Sequence, residues 1–275
     1  MIFVSKWPKA GRQAGFLMFS EEHEVKKKSK LRKILLILSA LLFALAAALA
    51  VYAGDYYHAG DTSAELLENG TDTVKISEGK NGELIFAPAD DSDPDTGFIF
   101  YPGGKVEYSA YAPLMEKIAE KGILCVIVKM PCNLAILDTG AADEIPEEFP
   151  EITDWYIGGH SLGGASASMY LEGNSEKYRG LVLLGAYSSV DLTETGLSVL
   201  SVYGSNDGVM KRDKYSEYLN NLPSDFTEYI IEGGCHSYFG DYGAQKGDGT
   251  PSVTAEEQWT ITADVISDWI KNHKN

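Results

Sequence analysis

Asp154-Trp155-Tyr156-Ile157-Gly158-Gly159-His160-Ser161-Leu162-Gly163-Gly164 is the stretch whose reading decides the fold. An aromatic and aliphatic run leads into Gly159-x-Ser161-x-Gly163, and the small residues Ala165-Ser166-Ala167-Ser168 follow. That pattern predicts a buried strand, a sharp turn and the start of a helix. In a nucleophile elbow the serine sits at the tip of such a turn in a strained conformation. Glycines flank it because a Cβ would strike the neighbouring strand or helix. Ser161 Oγ then projects from the edge of a sheet, and the Leu162 N–H lies at a helix N-terminus, where it can face a developing oxyanion. A glycine-rich turn that merely contains serine has the same pentapeptide, so the rest of the chain must supply the partners.

Downstream, a helix over 162–173 precedes core strands at 181–185 and 197–203, and only residues 186–196 separate those strands. Eleven residues are too few for an inserted cap domain, so the pocket is expected to be shallow and open. The second strand runs directly into Gly204-Ser205-Asn206-Asp207-Gly208. A carboxylate in a glycine-rich loop at a strand's C-terminal end is placed to face a site, although Asn-Asp-Gly also makes solvated turns. A helix over 213–222 and a last strand at 226–231 lead into Glu232-Gly233-Gly234-Cys235-His236, and an amphipathic helix over 255–272 closes the chain.

Upstream, 73–77 and 83–87 alternate at period two around Asn81-Gly82, which predicts an antiparallel hairpin. Asp90-Asp91-Ser92-Asp93-Pro94-Asp95 reads as an exposed loop, and 97–101 as a continuous apolar strand covered on both faces. That strand ends in Pro102-Gly103-Gly104, whose glycines let main chain approach a substrate closely; Gly103 and Gly104 are therefore candidates for a second oxyanion donor beside Leu162. An amphipathic helix over 108–121, a buried strand over 123–128 and a short helix within 138–148 complete the alternation.

Ser161 thus follows the fifth strand, Asp207 the seventh and His236 the eighth. The chemistry needs each type: a serine hydroxyl is a poor nucleophile until a neutral imidazole accepts its proton, and a carboxylate must fix the imidazole's tautomer and stabilise the imidazolium. His160, beside the nucleophile, is expected to point away from Ser161 and to pack behind it, while His23, His58 and His273 lie outside the core. Cys125 reads as a core residue; with three cysteines in all, Cys132 and Cys235 are free or paired, and at least one thiol stays free or bonds between molecules.

Over residues 71–275 the sequence resembles the alpha/beta-hydrolase fold-five family, related to the dienelactone hydrolases. The resemblance rests on Tyr101-Pro102-Gly103-Gly104-Lys105-Val106, Gly159-His160-Ser161-Leu162-Gly163-Gly164, and the run from His236-Ser237-Tyr238-Phe239-Gly240 to Gly247-Asp248-Gly249. It implies an α/β fold with a mostly parallel central sheet flanked by helices. Dienelactone hydrolases use cysteine as nucleophile where this chain has Ser161, and Cys235 stands where the family often has asparagine.

The net charge of −17 is unevenly spread: residues 1–33 hold nine Lys/Arg against three Glu, so the remainder carries −23. A strongly acidic body argues against nucleic acid as a partner, and neither the five His nor the three Cys show zinc-type spacing. Residues 34–53 form a charge-free apolar run about one bilayer long, with Lys26–Lys33 before it and Asp55 after it. The expected organisation is a basic cytoplasmic segment 1–33, a transmembrane signal-anchor 34–53, a polar stalk 54–70 and a hydrolase domain 71–275. The positive-inside rule puts the N-terminus in the cytoplasm and the domain outside. Removal as a signal peptide near Ala48-Leu49-Ala50 or Val51-Tyr52-Ala53 is the alternative.

The function expected from these readings is that of a membrane-anchored serine hydrolase acting on small carboxylic esters through Ser161, His236 and Asp207, with no metal or cofactor. The same triad serves a thioesterase, amidase, peptidase or acyltransferase, and a non-catalytic surface binding module is the reading from another class.

Overall fold

The computed structural model describes residues 10–89 and 94–274. Part of the expected basic segment (1–9) and of the expected acidic loop (90–93) lies outside them. Residues 1–54 and 55–275 form two separate units.

The first unit is helix α1 (Ala10–Gly54). Its part from Lys30 to Gly54 is 25 residues long, apolar enough to cross a membrane, and presents Leu31, Ile34, Leu42, Phe43 and Val51 outward. At ~1.5 Å rise per residue, 25 residues reach past the ~30 Å of a hydrocarbon core.

The second unit is one eight-stranded sheet with helices on both faces. In chain order it runs α2 (Asp61–Asn69), β1 (Val74–Glu78), β2 (Leu84–Pro88), β3 (Thr96–Tyr101), α3 (Ala112–Ala119), β4 (Leu124–Ile127), α4 (Ile145–Glu148) and β5 (Asp154–His160). It continues with α5 (Leu162–Leu171), β6 (Gly180–Leu184), β7 (Ser198–Gly204), α6 (Arg212–Tyr218), β8 (Phe226–Ile231) and α7 (Ala255–Asn272). The strand order is β1-β2-β4-β3-β5-β6-β7-β8. The β1–β2 hairpin is antiparallel with Ile76 opposite Phe86, β2 pairs antiparallel with β4, and every pairing from β4 to β8 is parallel.

Alternation along β3 shows why its sequence is apolar throughout. Phe98 and Phe100 enter the core layer shared with Leu114 and Met115 of α3 and Ile266 and Trp269 of α7, while Ile99 and Tyr101 enter the opposite layer with Ala167 and Leu171 of α5. A reciprocal capping box starts α7: the Glu257 N–H donates to Thr254 Oγ1 at 3.1 Å and the Thr254 N–H to Glu257 Oε2 at 2.7 Å.

The short helix expected within 138–148 is α4, where Pro146 fits a first turn and Pro150 biases Phe149 away from helical backbone. Two other elements differ from the sequence expectation. The helix expected from 108 begins as a 3-10 turn over Tyr108–Tyr111, and α3 starts just before Pro113. The stretch 54–70, expected as a stalk, belongs from Asp55 onward to the folded body. The Tyr57 N–H donates to the Lys105 carbonyl at 2.7 Å, the Glu107 N–H to the Tyr57 carbonyl at 2.8 Å, and the Gly60 N–H to the Asp241 carbonyl at 2.6 Å. Leu66 and Leu67 of α2 pack on the core. Composition made this segment look solvated, but several of its main-chain groups pair with residues remote in sequence.

The connection from β6 to β7 contains no helix or strand, so no cap domain is inserted there. The loops after β3, β5, β6, β7 and β8 all leave the sheet at that edge, where open α/β sheets place their ligand crevice.

Candidate active site

Ser161 stands between β5 and α5 with φ 52° and ψ −120°, a left-handed backbone that costs a non-glycine residue on the order of 1–3 kcal/mol. Surrounding main chain enforces it. A Cβ on Gly159 would fall 2.5 Å from the Tyr101 carbonyl oxygen and 2.6 Å from the Gly163 carbonyl carbon, and one on Gly163 only 2.1 Å from the Tyr101 oxygen. The Ser161 N–H is held by the Leu184 carbonyl of β6 at 2.9 Å. Strand β5, helix α5 and strand β3 therefore meet so closely at the turn that only glycine fits on either side of the serine.

Asp207 follows β7 and His236 follows β8, and their side chains meet at His236 Nδ1 to Asp207 Oδ2, 2.8 Å, both buried. A carboxylate can only accept, so Nδ1 donates to it, and in the neutral form of the ring the lone pair then falls on Nε2. Asp207 is itself aimed: its Oδ1 accepts the N–H groups of Val209 at 2.9 Å and Met210 at 2.8 Å. Gly185 makes room for the pair, since a Cβ there would lie 2.9 Å from His236 Nδ1 and 3.1 Å from Asp207 Oδ2. His236 Nε2 is buried and makes no hydrogen bond among the described residues; the residues His236 and Ser161 line the same cavity of about 270 Å³. Ala165, Ala186, Tyr187, Val209 and Met210 form apolar walls, and Lys211 is the charged side chain in the lining.

The candidate oxyanion donors separate. The Leu162 N–H opens α5, and the Gly104 main chain lies against Leu162, because a Cβ on Gly104 would sit 2.8 Å from Leu162 Cδ2. Among the described residues the Gly104 N–H has no acceptor. The Gly103 N–H, expected as an alternative donor, is instead given to the phenol oxygen of Tyr111 at 3.0 Å. Gly103 holds the loop in place rather than facing the cavity.

That bond belongs to a buried group that the sequence reading did not assemble. Tyr111 Oη, which accepts the Gly103 N–H, also lies 2.9 Å from His160 Nδ1, so one phenol oxygen joins the loop to the imidazole. The His160 ring then lies beside His236, centroids 4.4 Å apart. Burial, and secondarily the nearby His236, hold the His160 pKa well below the usual range, so the ring stays neutral. Burial also raises the Tyr111 phenol, which remains protonated. Tyr111 was visible in the sequence only as an apolar position on a helix face. Behind His236, buried Gln258 of α7 accepts the Cys235 N–H at 3.0 Å and donates to the Cys235 carbonyl at 2.8 Å. All three cysteines are free, and burial raises the Cys235 thiol.

The sequence model of the alpha/beta hydrolase family matches residues 97–260, a span that contains Ser161, Asp207 and His236. Among solved structures the chain is similar to a predicted CIB-like hydrolase from Thermoplasma acidophilum at 18% identity, covering 71% of this chain and 99% of that one with a TM-score of 0.52. It is similar also to Est1E from Butyrivibrio proteoclasticus bearing ferulic acid, at 12% identity over 74% of this chain and 96% of that one, TM-score 0.54. The esterase domain of a Rhodothermus marinus protein gives 12% identity, 72% and 97% coverage and a TM-score of 0.52. A search of curated proteins finds no match. With the family match spanning more than half of the chain and the sheet, its helices and the turn after β5 all arranged around that span, this protein belongs to the alpha/beta hydrolase family.

Proposed function

We propose that the protein is a serine hydrolase of carboxylic esters, with Ser161 as nucleophile, His236 as general base and acid, and Asp207 as its orienting carboxylate. The observation that carries this reading is the buried 2.8 Å contact from His236 Nδ1 to Asp207 Oδ2, which orients the ring of a histidine lining the same cavity as Ser161. In the reaction His236 Nε2 takes the Ser161 proton as Oγ adds to the ester carbonyl. The N–H groups of Leu162 and Gly104 donate to the tetrahedral oxyanion, in place of the Gly103 N–H that Tyr111 occupies. His236 then protonates the departing alcohol, and water repeats the sequence on the acyl-enzyme. A cavity of about 270 Å³ with apolar walls suits a short acyl group.

The outward-facing apolar helix of residues 30–54, preceded by the Lys26–Lys33 cluster, supports a single-pass anchor with the N-terminus cytoplasmic and the hydrolase unit outside. The test of the activity is a panel of short-chain aryl esters, thioesters and anilides given to wild type and Ser161→Ala. Ester turnover that Ser161→Ala lowers by roughly 10³–10⁶-fold is expected. Equal rates for the two proteins would end the proposal, and preference for thioester or anilide would move the substrate class.

A further inference from the structure

Asp248 lies in the loop between β8 and α7, outside the cavity lining. Its carboxylate accepts four main-chain N–H groups: Oδ1 those of Gly208 at 3.1 Å, His236 at 3.1 Å and Gly249 at 2.8 Å, and Oδ2 that of Ser237 at 2.8 Å. Three of these bonds fall on Oδ1 and one on Oδ2, and bonds to a charged acceptor are roughly twice as strong as neutral ones. Burial works against the charged form, but the four amides outweigh it and hold the carboxyl below its usual range. The donors come from both loops that matter: Gly208 follows Asp207, and the other two distant donors are His236 and the residue after it. The main chains themselves interlock. A Cβ on Gly208 would fall 2.7 Å from the Gly247 carbonyl oxygen, and one on Gly249 only 1.9 Å from that of Asn206.

We propose that Asp248 is a positioning residue: one half-buried carboxylate that ties the Asp207 loop to the His236 turn and so sets where the imidazole Nε2 stands relative to Ser161. Bonds further along the two loops, such as the Gly233 N–H to Ser205 Oγ at 2.8 Å, hold them together without touching the reacting residues. Asp248 acts on the main-chain nitrogen of His236 itself, so its loss tilts the ring while leaving the apolar walls untouched. The proposal rests on the reading of Ser161, His236 and Asp207 as one catalytic unit.

The test uses the full chain with Asp248→Asn and Asp248→Ser, each of which keeps fewer acceptor sites, assayed on p-nitrophenyl acetate. Active sites are counted by labelling to completion with a fluorophosphonate, and kcat is expressed per labelled site. A displacement of about 1 Å at a reacting group costs on the order of 10²-fold, so kcat per site should fall by roughly that factor with KM within about twofold. In an Asp207→Asn background the same Asp248 substitutions should cost less than about threefold, because the alignment they disturb is already without use. A merely structural Asp248 would lower the melting temperature or the number of labelled sites and leave kcat per site unchanged. That result, or full additivity with Asp207→Asn, overturns the proposal. If Ser161→Ala labels and turns over like wild type, the catalytic reading itself has failed; if Ser161→Ala is dead and Asp248→Asn behaves as wild type, only the role of Asp248 has.

Discussion

Replacing Tyr111 by Phe removes one oxygen and little else. The ring is buried, 4.9 Å from Phe100 and 6.4 Å from Tyr242 by centroids, and a phenylalanine keeps these contacts. The lost oxygen strands two buried groups, the Gly103 N–H (3.0 Å) and His160 Nδ1 (2.9 Å). An orphaned buried polar group costs about 1–3 kcal/mol, partly offset because the hydroxyl no longer has to be desolvated, so the expected net loss is about 2–4 kcal/mol. For a unit of this size each kcal/mol moves Tm by roughly 2–4 °C, and the fall should be about 5–15 °C. Catalysis should suffer separately. Gly103 precedes the proposed donor Gly104, and a donor left loosely aimed should forfeit part of the ~10²-fold that a whole oxyanion donor supplies, about 10-fold in kcat. Thermal unfolding followed by circular dichroism and steady-state ester hydrolysis measure the two effects. A Tyr111→Phe protein with Tm within about 1 °C of wild type and unchanged kcat would refute the argument that this phenol holds the loop.

Three further outcomes follow from the same structure. His160 has a folded-state pKa below its unfolded value near 6.5, so the unfolded chain binds the extra proton and stability falls as pH drops from about 6.5 toward the folded-state value. His160→Asn, whose amide can pair with the Tyr111 hydroxyl, should flatten that part of a Tm-versus-pH curve; an unchanged slope would contradict it. Gly185→Ala forces a Cβ to within 2.9 Å of His236 Nδ1 at a position with φ 51°, and should lower kcat by about 10² or more while the protein still folds; wild-type turnover would show that the imidazole has slack there. A chain starting at Asp55 should be soluble and cooperative on unfolding, whereas one starting at Thr71 loses α2, the Tyr57–Val106 bridge and the Ser63 N–H to Asp241 Oδ2 bond and should melt several degrees lower or aggregate. Equal melting temperatures for the two would mean that residues 55–70 contribute nothing to the fold.

How much of this was legible depends on how local each signal is. The elbow could be read because one short segment holds the strand, both glycines and the helix start, and steric limits at Gly159 and Gly163 act between near neighbours or on β3 directly beside them. The strand order and its mixed pairing were half-legible: periodicity marks β1 to β8, while the swap of β3 and β4 in the sheet is a tertiary fact. Asp207 and His236 could be matched to strand ends, but the bond between them spans 29 residues and needed the fold. Tyr111 reaching His160 across 49 residues left no local pattern, since a tyrosine on a helix face scans as apolar. Asp248 was noticed within Gly247-Asp248-Gly249 without a role, because its partners are backbone amides, which no sequence distinguishes. Residues 54–70 misled through composition: few apolar side chains there are enough, once main-chain bonds to 105–107 and 241 supply the rest.

The most direct test of the account is to treat the full-length protein with a fluorophosphonate, digest it and map the modified residue by mass spectrometry, alongside Ser161→Ala and Asp207→Asn. The account predicts one modified peptide with the adduct on Ser161, no adduct in Ser161→Ala, and labelling of Asp207→Asn slowed by on the order of 10³–10⁴. An adduct on another residue, or labelling of Ser161→Ala at the wild-type rate, would contradict it.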